Sequence, residues 1–470
     1  MKNLYRHLIL LSVIVTSTLF AGGDKYSPRL VGMGRTFTAV SRGLDAVGTN
    51  PANLALNDRD ATVTLNFMPL GLSIGSDFIN YKIYNDFFTG VPDPTNPDNR
   101  IARKLSDQDK NDILGLFPGG IARTQARFEM APIGLSLQIG DFGFAIVPSI
   151  QVANNFDLPE GYMKLLLNGF GENGTKYSLN ETALNASAIG ELNVSMAYML
   201  PLQLPSIDDI SVGIGVKYLV GLAYVGTDHY NGSIQTTDVQ AYTNQTTGET
   251  VYLPNKIAAD FDFLQYYAYD STNYQPVGSG LGFDIGLSAN VVNAIRVGIS
   301  VTDIGSITWD KHTKAIYGQS SVIVEGFDTR HQDTLTNAFK GNTVDTTSFV
   351  KALPTALHIG AEVKMDDLIT DIPFRWVIAA DMHLGFNDAP GNTKLAQFAI
   401  GTELDPLAGW LPLRTGILLG GRERFGWSAG FGIHLANTFD LDFATQSIAI
   451  LTNPDSFRTG SFTMGMRFRF

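Results

Sequence analysis

The chain contains no cysteine among its 470 residues. That excludes a disulfide framework, a thiolate metal site and a catalytic thiol. Charge is also sparse: Asp, Glu, Lys and Arg make up 17% of the sequence, and the formal net charge is −12. An acidic balance of that size argues against nucleic acid as a partner. Beyond the amino terminus no segment is apolar over the roughly 20 residues that a spanning helix requires. Nor is there a Pro/Ser/Gly linker or a strong shift of composition, although a soluble chain of this length normally divides into several domains. What the chain has instead is 48 glycines, 29 phenylalanines and a mean hydropathy near zero. Many strands with one apolar and one polar face, carrying aromatic girdles, have that average.

The amino terminus has a distinct order. Lys2 and Arg6 precede an apolar run from Leu8 to Phe20, followed by Ala21-Gly22-Gly23. Basic, apolar and then small residues describe a secretory signal peptide, with cleavage expected between Ala21 and Gly23. We assign residues 1–22 to it.

Alternation with a period of two marks strands. Such runs lie at 61–75, 120–139, 142–156, 184–200, 210–225, 279–291, 294–305, 353–365, 373–386, 395–404, 411–420, 425–436, 438–449 and 458–470. The reading is an all-β chain, a transmembrane antiparallel β-barrel of about 14 strands, an even number as single-chain bacterial barrels require. Loop lengths alternate too. Residues 76–119, 157–183, 226–278 and 306–352 are long, whereas 140–141, 201–209, 292–293, 366–372, 406–409 and 437 are short. Short periplasmic turns and long external loops follow the barrel rule, and the parity holds to the end of the chain.

Facing can be read within each run. Trp427, Phe431, Ile433 and Leu435 share a face opposite Ser428 and His434. Trp376, Ile378, Ala380 and Met382 oppose Arg375, Asp381 and His383, while Leu357, Ile359 and Val363 oppose His358, Glu362 and Lys364. Phe439, Leu441 and Phe443 oppose Asp440 and Asp442. The charged faces point to the lumen, because a basic residue facing lipid at mid-depth costs about 2–4 kcal/mol. The expected luminal polar network is Asp381, His383, His434, Asp440, Asp442, Arg467 and Arg469. The four tryptophans, Trp309, Trp376, Trp410 and Trp427, fall at strand ends or turns, where interfacial belts lie.

The last strand carries a resemblance. Phe462, Met464, Met466, Phe468 and Phe470 alternate with Thr463, Gly465, Arg467 and Arg469. This ending resembles the closing strand of a bacterial outer-membrane barrel. That resemblance implies that Phe462, Phe468 and above all the terminal Phe470 are read by the barrel-assembly machinery.

A second resemblance lies in residues 23–60. Gly32-Met33-Gly34, the small-residue stretch after it, and Asn50-Pro51-Ala52 with Leu54 form a compact, turn-rich piece. It resembles the amino-terminal hatch of the FadL-type outer-membrane transport family, whose relatives include PorV-type secretion barrels. The resemblance implies a hatch inside a fourteen-stranded barrel, with Gly32, Gly34, Asn50, Pro51 and Ala52 as its motif. It implies a place in the outer membrane, with periplasmic or luminal termini and outer-membrane lipid around the barrel. It also implies passive uptake of a hydrophobic ligand. The alternative is a PorV-like barrel whose loops bind a secretion-system partner.

Phe78, Tyr81, Tyr84 and Phe88 are spaced for one helix face and form a candidate ligand groove. Tyr162, Leu165, Leu166 and Phe170 repeat the pattern, and simple packing of loop on loop is the commoner reason for both stripes. An enzyme is not expected: His383, Asp381 and His434 lie on separated strands with no serine beside them. No cofactor is expected, and no twelve-residue loop pattern supports a Ca²⁺ site.

Overall fold

The computed structural model describes residues 27–470, apart from 97–98, 203, 244–249, 293, 326–328, 370, 408, 436–437, 450–452, 454 and 456–457. The expected signal peptide and its cleavage region lie outside the described residues. Fourteen antiparallel strands close into a barrel. They are β1 (Val63–Ser76), β2 (Ile121–Met130 and Ile133–Ile139), β3 (Phe142–Pro159), β4 (Ala183–Met199), β5 (Asp208–Thr243), β6 (Gly278–Val292) and β7 (Ile295–Trp309). Then come β8 (Phe349–Ala352 and Ala356–Lys364), β9 (Arg375–Gly385), β10 (Gln397–Asp405), β11 (Leu413–Gly420), β12 (Arg424–Leu435), β13 (Phe439–Thr445) and β14 (Thr459–Arg469). β14 pairs with β1 from Thr64↔Arg469 to Gly75↔Thr459, which closes the ring and removes the sheet edges.

The expected facing holds along the strands. On β6, Leu281, Phe283, Ile285 and Leu287 are exposed, while Asp284 and Ser288 between them are buried. On β12, Trp427, Phe431, Ile433 and Leu435 point out and Ser428 and His434 point in. The outward residues form the apolar surface of a membrane-spanning barrel. Among the described residues no helix is long and apolar enough to cross a membrane.

The two ends differ as loop length predicted. Short turns and both strand termini, Val63 and Phe470, share one end, called the near end here. The opposite, far end carries the long connections. Two of these, 226–278 and 306–352, read from sequence as long loops, and here the structure differs. The outer half of β5 runs on past the barrel and pairs with Thr250–Tyr269, which pairs with Thr313–Glu325. Both faces of these strands are wet or covered locally, so the chain there shows no lipid-imposed alternation. Trp309 is corrected as well. It does not join an interfacial belt but is fully buried at the far end, with Tyr224 at 5.1 Å and Phe349 at 6.4 Å. Trp410 and Trp427 are exposed.

Candidate functional site

The lumen is occupied by residues 27–56, nearly all of them buried. Inward-facing glycines allow this. A Cβ on Gly143 of β3 would lie 2.0 Å from Leu54 O, and one on Gly213 of β5 would lie 2.3 Å from Ala52 N. The same test gives 2.0 Å to Asn50 Oδ1 at Gly286 of β6, and 2.0 Å to Met33 O at Gly401 of β10. A segment that touches walls on opposite sides of a closed barrel lies inside it.

The expected motif residues make these contacts. Asn50 accepts from Ala52 N at 3.2 Å and donates to Thr38 O at 2.8 Å and to Leu287 O of β6 at 3.3 Å. It therefore caps the short turn Pro51–Ala55 and ties that turn to both the rest of the segment and the wall. Pro51 supplies the fixed φ of the first helical position. Gly34 has φ +71°, and a Cβ there would stand 2.9 Å from Ile417 N of β11. A Cβ on Gly32 would lie 3.2 Å from Arg414 Cβ and Gly430 Cα.

Charge fixes the segment at the near end. Arg29 makes a forked pair with Glu403 of β10 at 2.9 and 3.0 Å. Glu403 also accepts from Arg414 at 2.7 Å, and Arg414 reaches Asp442 at 2.6 Å. Arg42 pairs with Glu362 at 2.6 Å, and Arg467 pairs with Asp45 at 2.6 Å. Arg469 bonds Asp440 and lies 3.4 Å from Asp58. Asp58 and Arg59 precede β1. Burial alone would raise the Asp58 carboxyl, but Arg469, Arg467 and Arg59 together hold it below the usual carboxylate range. Burial, with Arg469 and Arg29 nearby, pushes the Arg59 guanidinium down to about 10.

The seven residues expected as one luminal network fall into two groups. His434, Asp440, Asp442, Arg467 and Arg469 belong to the near-end ion pairs. Asp381 and His383 sit elsewhere on β9, against residues 35–38. Asp381 Oδ2 accepts from Phe37 N at 2.9 Å, Thr38 N at 2.7 Å and Thr38 Oγ1 at 2.6 Å. His383 Nε2 stands 3.0 Å from Arg35 O, and its Nδ1 stands 2.8 Å from Nδ1 of His358 on β8. His358 Nε2 meets Thr302 Oγ1 of β7 at 3.0 Å.

His434, Asp440 and Asp442 could bring three ligand atoms to one metal ion. Arg59, Arg414 and Arg469 already pair with those two carboxylates. Three guanidinium groups against two carboxylates leave no negative charge to hold a divalent cation.

The barrel wall is irregular at one place. In β1, Met68 has φ +47° and Pro69 has no N–H, and the register with β14 shifts between Phe67 and Leu70. β2 breaks opposite, at Ala131-Pro132. Met68 N bonds Pro132 O at 3.3 Å, and Ala131 N bonds Pro69 O at 3.2 Å. Behind this bulge lies a cavity of about 60 Å³. Pro28, Leu44 and Val47 of the segment line it with Pro69, Ala131 and Met466 of the wall, together with the charged Asp45, Glu129, Asp442 and Arg467.

The far mouth is crossed by the connection between β9 and β10. Asn155 of β3 donates to Ala389 O at 3.1 Å and Asn392 O at 2.9 Å, and accepts from Gly391 N at 3.3 Å. Arg422, beside β12, bonds Asp157 of β3.

The aromatic stripe does not form one groove. Phe78 is buried, 4.7 Å from Phe117 and beside Ile113, while Tyr81, Tyr84 and Phe88 are exposed. The helical turns begin only at Tyr81, so Phe78 does not share their face. In the second stripe Tyr162, Leu165 and Phe170 pack on a far-end core and Leu166 is exposed. Phe462, Phe468 and Phe470 all face outward.

Two features of the lumen escaped the sequence reading. One is the set of inward glycines, which alternation does not flag because glycine fits either face. The other is Lys217 of β5, buried at 2.8 Å from Asp284 and 2.5 Å from Asp303. It is the charged residue on the inward face of a run otherwise small or apolar, and that signal could have found it.

The chain belongs to a family described as "Family of unknown function (DUF5723)", whose model matches residues 51–435. It is similar to the solved toluene transporter TbuX of Ralstonia pickettii, at 12% identity and a TM-score of 0.46 over 95% of this chain and 99% of that one. It is similar also to the toluene transporter TodX of Pseudomonas putida, at 11% identity and a TM-score of 0.43, covering 96% and 98%. A FadL homologue of Pseudomonas aeruginosa gives 11% identity and a TM-score of 0.48, covering 96% and 100%. No curated protein sequence matches the chain.

Proposed function

We propose that this DUF5723 chain is an outer-membrane channel for passive uptake of small hydrophobic molecules, plugged by residues 27–60. In this reading the near end is periplasmic, the outward apolar band meets outer-membrane lipid, and Phe462, Phe468 and Phe470 serve the barrel-assembly machinery. The bulge of β1 against the break in β2 carries the reading, with a cavity behind it where apolar residues (Leu44, Val47, Pro69 and Met466) meet the charged Asp45, Glu129, Asp442 and Arg467. An apolar solute gains nothing by passing the near-end ion pairs, whose charges hold their neighbours and their water. The wall at Pro69 and Pro132 offers another exit, because each proline removes one donor from the ladder, two backbone bonds alone bridge the break, and lipid lies just outside. The cavity of about 60 Å³ is smaller than the roughly 150 Å³ that admits benzene. The structure is therefore a closed state, and passage requires the bulge or the segment to shift.

The test is uptake of a labelled apolar solute by Gram-negative cells that produce the protein. Intact cells are needed, because lipopolysaccharide is the barrier that such a channel bypasses. A Leu70→Cys/Met130→Cys variant places a disulfide across paired residues beside the break. Uptake should fall when the bridge is oxidised and return on reduction. Uptake indifferent to the bridge removes the lateral route.

A second reading has one observation in its favour. Among the described residues, the far-end strand Thr313–Glu325 pairs with its neighbour on one side along its length, whereas on the other side Lys314–Tyr317 are paired and no ladder partner is described for Gly318–Val324. An edge left open is a template for a strand from a partner, as a secretion-associated barrel would need. Co-purification of a defined partner that is lost on substituting Ser320→Pro and Val322→Pro would favour it.

A further inference from the structure

We propose that His358 and His383 form a two-proton latch, and that acidification releases residues 35–38 from the barrel wall. The inference rests on the plug reading above and adds its regulation.

The two histidines are directly paired across β8 and β9. Their protons follow from their partners. Arg35 O is a carbonyl and can only accept, so His383 Nε2, at 3.0 Å, carries a hydrogen. In neutral His383 the Nδ1 is then bare. His358 Nδ1, 2.8 Å away, must supply the hydrogen between them. That leaves His358 Nε2 bare, and it accepts from the Thr302 hydroxyl at 3.0 Å. The neutral pair is thus a single directed chain from β7 to the plug.

One added proton leaves the geometry intact. His383 becomes the cation and donates from both nitrogens. His358 stays neutral, accepts at Nδ1 and donates from Nε2 to Thr302 Oγ1. Every junction still holds one hydrogen. The carboxylate facing this charge is Asp381, 4.0 Å from His383 Nε2, with its Oδ2 already bonded to residues 37 and 38. Asp303, next to Thr302 on β7, is engaged by Lys217, and Glu362 on β8 by Arg42. From β10 the residue in register with His383 is the uncharged Gln397. On the plug side, the Arg35 guanidinium is 3.6 Å from Glu423, and Phe37 stacks on His383 at 4.5 Å.

A second proton cannot be accommodated. It places two N–H groups nose to nose at 2.8 Å and two cations side by side. The strands carrying them are locked in the ladder, so the rings must swing. His383 then loses Arg35 O, and Phe37 loses its stacking partner. Because the second proton binds better to the undocked state, the open population rises as pH falls. One proton per opening gives a slope of about tenfold per pH unit.

The experiment is conductance of the purified full chain in planar bilayers from about pH 8 to about pH 4. Wild type should be closed at the upper end and open progressively on acidification. His383→Gln and His358→Gln each keep one donor and one acceptor but cannot form the double cation, so both should stay closed throughout. Deleting Asn50–Asn53 should conduct at every pH. Wild-type conductance flat with pH, or rising equally in both Gln variants, overturns the latch. If the deletion is also closed, the plug reading itself fails. Heat-modifiable mobility on gels reports whether each variant folds, and the two Gln variants back each other.

Discussion

Val63 and Phe470 exchange both of their backbone hydrogen bonds, at 3.0 and 2.9 Å. The last residue of the chain is therefore the first rung of the seam that closes the barrel. Removing Phe470 should delete that rung and expose the end of β1, whereas Phe470→Ala keeps the rung and loses only the outward ring. We expect the deletion to reduce the heat-modifiable, folded band on gels far more than the substitution does. Equal losses would place the effect in the ring.

Glu403 holds two guanidinium groups, those of Arg29 and Arg414. Glu403→Gln leaves buried positive charge uncompensated, and the expected cost is about 3–5 kcal/mol. The midpoint of urea unfolding in detergent should fall accordingly. Replacing Arg29 by Met in the same chain should recover part of it, because the stranded charge is that of Arg29, whereas Arg414 keeps Asp442.

Gly213→Ala tests the close approach of plug and wall. Its methyl would stand 2.3 Å from Ala52 N, which is backbone and cannot swing aside. We expect the plug to be displaced there while the barrel stays folded, and ion leak in planar bilayers to rise above wild type. A methyl at Gly190, with nothing nearer than 3.8 Å, should change nothing.

Asn155 tests the far mouth. Its amide makes three contacts with the connection between β9 and β10. Asn155→Ala should loosen residues 386–394 and raise their cleavage by added protease in intact cells, without loss of the folded band. Unchanged cleavage would mean that the bonds from Asn387 to Leu353 O and from Asn392 to Thr355 O are enough to hold the connection.

The barrel was legible because lipid enforces a strict rule. One outward face must be apolar, so β6 and β12 announce themselves, and short turns betray the near end. Where lipid no longer imposes the rule, legibility failed. The outer half of β5 and its partners have two wet or locally covered faces and read as loop. Trp309 sits at a strand end in sequence, but nothing there shows the far-end sheet that buries it. Asn50-Pro51-Ala52 was found by its turn chemistry, and the wall that meets it was not, since Gly213 and Gly286 carry no facing signal. Alternation puts His383 on the inward face, yet its pairing with His358 depends on strand register, which alternation alone does not set. The β1 bulge had a visible mark in Pro69, and its counterpart Pro132 gains meaning only once β1 and β2 are side by side.

The most direct measurement of the central claim compares two labelled solutes of similar size, one apolar and one a sugar, taken up by Gram-negative cells with and without the protein. A plugged channel with a lateral apolar route should raise the initial uptake rate of the apolar solute and leave the sugar at the background rate. No rise for the apolar solute, or an equal rise for both, would contradict it.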